Sequence, residues 1–115
     1  MEQLAEQSVI AAMVSRAVMD ATHPPVTKLT NEAGKVTMHY VYKRDRIEKE
    51  RKDALEWINA SENALMSFEW CCDVLDIHPD AIRHTVAHRP RETYNAMQRQ
   101  HQIIQRGPKV TADEG

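Results

Sequence analysis

The stretch Met66–Arg89, MSFEWCCDVLDIHPDAIRHTVAHR, decides how the rest of the chain is read. Ser67 suits an N-cap, so Phe68 to Leu75 reads as a compact amphipathic helix. Asp76-Ile77-His78-Pro79 interrupts it, because the residue before a proline is biased away from the helical region and Pro79 suits the first turn of a new helix. Asp80 to Arg89 supplies that helix. Ile82 and Val86 share one face of it, and Arg83, His84, Ala87 and His88 lie on or beside the others. This is the pattern of a DNA-binding helix-turn-helix, in which apolar residues fix the angle of the pair and polar ones project from the second helix. Cys72 is small where such helices approach closely, Leu75 and Ile77 bracket the turn, and Ala81 and Thr85 leave the crossing uncrowded. Asp76 departs from the common pattern, standing where glycine is usual; aspartate visits the left-handed region at some cost. The competing reading is a pair of core helices joined by a short turn.

Upstream of this stretch, KRDRIEKERKDALEWINA (residues 43–60) reads as a helix with Ile47, Ala54, Leu55 and Ile58 on one face and Trp57 at its border. Opposite charges four residues apart, such as Lys49 and Asp53, mark a solvated surface rather than an RNA-binding run. Before it, VTKLT-NEAG-KVTMHYVY suggests a β-hairpin over about 26–42, with Val36, Met38, Tyr40 and Tyr42 on one face. The alternative is that Tyr40 onward already belongs to the next helix. Gln3 to Ala21 reads as the first helix, ended by Pro24-Pro25, with an apolar stripe suited to a core or to a dimer surface. After Arg89 and Pro90 a last helix runs from Arg91 to Arg106, and Gly107-Pro108 stops it. The expectation is a mainly α fold of four to five helices with a small β-hairpin. It comprises a single helical domain over 1–107, with the helix-turn-helix at 67–89, and a disordered tail over 108–115.

Composition excludes several classes. Charged residues make up 28% and hydrophobic ones 42%, with three glycines and one phenylalanine, which suits a helical globular domain better than a β-sandwich. No apolar run approaches the ~20 residues of a membrane span. The N-terminus lacks a basic region before its apolar residues, so no secretory signal is read and the cytoplasm (a bacterial host's, if the protein is viral) is the expected location. No Gly-rich phosphate loop, nucleophile elbow or HExxH sequence occurs, so no enzyme and no cofactor are expected. Cys71 and Cys72 are adjacent, cannot easily bridge each other, and read as small reduced core residues. Cys71 with His84 and His88 resembles half of a zinc finger, but two neighbouring cysteines on a helix cannot aim at one ion, so no metal is expected.

Net charge is −2, yet its distribution is uneven. Residues 61–80 carry acids and no Lys or Arg, whereas residues 81–110 carry Arg83, Arg89, Arg91, Arg99, Arg106 and Lys109 against Glu92 alone. Positive charge begins where the second helix of the pair begins, as phosphate binding needs. The candidate DNA-binding set is therefore His78, Pro79, Asp80, Arg83, His84, Ala87, His88, Arg89 and Arg91. Arg83 is expected to make a bidentate contact to guanine. His78 and His84 are expected at base edges or phosphates, Asp80 at a cytosine amino group, and His88, Arg89 and Arg91 at phosphates.

The residues Ala54, Trp57, Ile58, Ser67, Phe68, Cys72, Leu75, Pro79 and Arg83 also resemble those of small phage- and prophage-encoded proteins. Those proteins carry an A-x-x-W-I helix followed by F-S-F-x-x-x-C-x-x-L-x-x-x-P-x-x-x-R, and Met66 stands here where their first aromatic is usual. The resemblance covers residues 54–83, and 11–21 loosely. It implies a DNA-binding regulator of phage type; taken with the helix-turn-helix pattern, the expected function is sequence-specific binding of double-stranded DNA by a homodimer. The alternatives are a protein-binding module acting on host RNA polymerase or another host factor, and a DNA-packaging recognition subunit.

Overall fold

Ile10, Val14, Val18 and Ala21 recur at intervals of four and three, so one α-helix carries them on a single stripe. That helix is α1, Glu2–Thr22. The computed structural model describes residues 2–106, with side chains over residues 6–100. All four stripe residues are buried, and α1 touches each of the other four helices. Its end is held by Thr22, whose hydroxyl donates to the Val18 carbonyl at 2.7 Å, and by Pro24 and Pro25, which offer no amide to extend it.

The expected hairpin is not present. Between residues 23 and 37 a single antiparallel bridge joins Thr30 to Val36. The turn inside it is closed by Asn31, whose Oδ1 accepts from the amides of Ala33 and Lys35 at 2.9 and 3.0 Å, with Gly34 at a φ of 81°. Pairing goes no further because Thr37 caps a helix instead, its hydroxyl accepting from the Tyr40 amide at 3.4 Å. Helix α2 thus runs Met38–Asn59, and the alternation through Met38, Tyr40 and Tyr42 is carried on a helix. Val36, Met38 and Tyr42 stay largely exposed, so no sheet face exists to bury them.

Three more helices follow: α3 is Phe68–Leu75, α4 is Pro79–His88 and α5 is Pro90–Arg106. Ser67 caps α3 as its sequence suggests. It is buried, accepts from the Trp70 amide at 3.2 Å and donates to the Glu62 carbonyl at 3.1 Å. The Gly107-Pro108 stop and the 108–115 tail lie outside the described residues.

One core joins these elements. Ile58, Phe68, Cys71 and Cys72 are fully buried against the α1 stripe, Ala54 and Val86, and Trp57 meets Phe68 edge-on at 5.5 Å between centroids. Helices α2 and α3 touch each other, as do α4 and α5, and α1 binds the two pairs together. Among the described residues, no helix is long and apolar enough to cross a membrane.

Candidate nucleic-acid interface

The turn between α3 and α4 is built from three residues with distinct tasks. Asp76 takes the left-handed conformation, φ 59° and ψ 44°, so its amide reaches the Asp73 carbonyl at 3.2 Å and the next amide, Ile77, reaches the Cys72 carbonyl at 2.9 Å. This paired closure is a Schellman motif, which normally selects glycine; aspartate fills the position here. His78 then caps α4, its Nδ1 accepting from the Asp80 amide at 3.2 Å, and Pro79 occupies the first turn. His78 and Pro79, both expected at DNA, thus also shape the start of α4.

Arg83 sits differently from its expected role. Its Nε donates to the Ile58 carbonyl at 2.8 Å, its Nη2 to the Ala60 carbonyl at 3.0 Å and to Glu69 at 2.8 Å, and its Nη1 to Asp80 at 3.0 Å. The guanidinium also lies 5.4 Å above the Phe68 ring, and the side chain is only 20% exposed. Four of the five guanidinium N–H groups are engaged, and a bidentate guanine contact needs two free ones. Hydrogen bonding to Glu69 raises the Arg83 pKa further above the ordinary arginine value, so the charge is permanent. Arg83 locks the carboxyl end of α2 to α3 and α4; it is not presented for base reading.

The remaining candidates form the outer surface of α4 and its exit. His84, Ala87, His88, Arg89 and Arg91 are all exposed. The rings of His84 and His88 meet at 4.3 Å between centroids, tilted by 39°. Arg89 is the C-cap of α4, and among the described residues neither it nor Arg91 has a side-chain hydrogen bond or ion pair. Asp80 is held by Arg83 but remains 73% exposed. His84, Ala87, His88, Arg89 and Arg91 are thus all accessible, Ala87 and Arg91 on the side that faces the end of α1 and α2, whereas Arg83 is held inward.

Cys71 and Cys72 are buried free thiols, and burial pushes both pKa values up, which keeps them protonated and unreactive. Among the described residues, no group of three or more His, Cys, Asp or Glu is placed to hold a metal.

Two features had no signal in the sequence pattern. Arg51, read as part of a solvated face, turns its Nε and Nη2 onto the His23 carbonyl at 3.1 and 3.0 Å. An apolar groove of about 610 Å³ also runs between α1 and α2, with Val9, Ala12, Met13 and Trp57 among its lining residues. No protein-family model, curated protein or solved structure matches the chain.

Proposed function

We propose that the protein binds double-stranded DNA through its α3–α4 pair, as a transcriptional regulator of phage type acting as a homodimer. The observation that carries this reading is the exposed run over the end of α4 and the start of α5: His84 and His88, whose rings meet at 4.3 Å, then Arg89 and Arg91, which have no side-chain partner among the described residues, behind a helix start fixed by a closed turn. His84 and His88 would approach base edges, while Arg89 and Arg91 would neutralise phosphates. Two copies would place two α4 helices at half-sites about one DNA turn apart, which lets modest contacts of one domain sum to useful affinity.

Selection from random duplex DNA at low salt tests the reading, followed by binding isotherms for His84→Ala and Arg91→Ala. The histidine variant is expected to relax sequence preference. The arginine variant is expected to weaken binding to all sequences and to lower the salt slope by about one. Absence of any DNA binding at low salt would sink the proposal. Arg83→Ala is unsuitable as the decisive control, because its loss of binding would report a damaged fold.

The apolar groove between α1 and α2 favours a second reading, a module that binds another protein, such as a host transcription factor. Val9, 61% exposed at the groove, is the discriminating position. Val9→Glu should abolish a protein-binding function and leave DNA binding by α4 intact.

A further inference from the structure

We infer that the cavity where the carboxyl ends of α1 and α4 meet α2 is a binding site for a small amphiphilic carboxylic acid. Its volume is about 480 Å³, within the ~300–1,000 Å³ usual for ligand pockets. Pro24, Pro25, Leu55, Val86, Ala87 and Pro90 supply its apolar walls. The three prolines have no amide hydrogen to offer a ligand.

The other polar groups at the cavity are largely occupied. The Thr22 hydroxyl donates to Val18 at 2.7 Å, and His23 Nδ1 lies 2.8 Å from the Pro24 carbonyl. Arg51 and Arg91 remain. Arg51 turns Nε and Nη2 to the His23 carbonyl, which leaves its Nη1 hydrogens, and Arg91 has no partner among the described residues. The free side-chain donors at the cavity thus include two guanidinium groups. A planar carboxylate matches that fork and the apolar walls suit a hydrocarbon body. The carboxyl ends of α1 and α4 oppose an anion here, while the amino end of α5 at Pro90 and Arg91 and the two full positive charges favour one.

Titration of the ¹⁵N-labelled full chain with benzoate, benzamide and inorganic phosphate, followed by NMR, tests the assignment. Benzoate is expected to shift the amides of Leu55, Ala87 and Arg91 saturably. Benzamide, with the same shape and no charge, should bind about tenfold or more weakly, as should phosphate, which lacks the apolar body. Arg91→Ala, at an exposed position, should weaken benzoate by a similar factor of about ten. Ala87→Phe should fill the cavity and abolish binding in a chain whose spectrum shows it folded. Equal affinity for benzamide or phosphate, an unchanged isotherm in Arg91→Ala, or no saturable shift would each overturn the assignment. Arg91 is also a proposed phosphate contact, so a bound acid and DNA would compete for it. That consequence rests on the DNA-binding reading, whereas benzoate binding is measured without DNA.

Discussion

Arg51 and Arg83 perform the same operation at different depths. Each reaches from one helix to the carboxyl end of an earlier helix and donates to carbonyls that no helical amide can satisfy: His23 beyond α1 for Arg51, Ile58 and Ala60 at the end of α2 for Arg83. Arg51 addresses a single oxygen. Arg83 addresses two carbonyls and two carboxylates, and lies over the Phe68 ring. One arginine closes a loop onto α2, while the other joins α2, α3 and α4 at one point. The difference shows that a cation on the second helix of the α3–α4 pair can belong to the scaffold.

Arg83→Met keeps much of the stem's packing and deletes the charge and donors, leaving two carbonyls and Glu69 without their partner. It should lower unfolding free energy by about 3 kcal/mol, since stripping one member from a partly buried ion network is among the costlier substitutions. Urea denaturation with an unchanged m-value would report it. Arg51→Met removes donors to one partly exposed carbonyl and should lower stability by about 1.5 kcal/mol. Equal losses for the two would break the comparison, because the extra carboxylates and the aromatic ring at Arg83 would then contribute nothing.

What was legible in the sequence divides by distance along the chain. The Ser67 cap, the left-handed Asp76 and the helix start at Pro79 depend on bonds spanning a few residues, so local chemistry specifies them. The hairpin failed for a physical reason of the same range. Alternation from Val36 to Tyr42 suits a strand, but Thr37 accepts from the amide of Tyr40 and commits the chain to a helix. Arg83 was recognised as a polar residue on the second helix, yet its carbonyl partners lie 25 and 23 residues away, and Arg51's lies 28 away. No periodicity encodes such contacts. The spaced residues behind the phage-protein resemblance are likewise framework residues. Ala54, Ile58, Ser67, Phe68 and Cys72 are buried, Pro79 opens α4 and Arg83 is the clamp. That spacing describes a fold, and any binding chemistry has to come from the residues between and after.

Within the Arg83 cluster the two carboxylates repeat the contrast on a smaller scale. Glu69 is 28% exposed and sits on α3, so its bond crosses between helices; Asp80 is 73% exposed and lies three residues before Arg83 on the same helix. Glu69→Gln keeps an acceptor but removes the charge that faces Arg83, and should lower stability by about 1 kcal/mol.

Asp80→Asn should change stability by less than about 0.5 kcal/mol, because water already screens that pair and a one-helix contact adds no tertiary constraint. The two carboxylates should also separate in salt. Coupling of Asp80 to Arg83, measured by a double-mutant cycle, should fade as ionic strength rises toward about 1 M, where the screening length falls to roughly 3 Å, while the Glu69 coupling persists in its drier position. A salt-resistant Asp80 coupling would show that the outer carboxylate helps to hold Arg83 inward. Releasing it would then be the first step needed before Arg83 could turn outward at all.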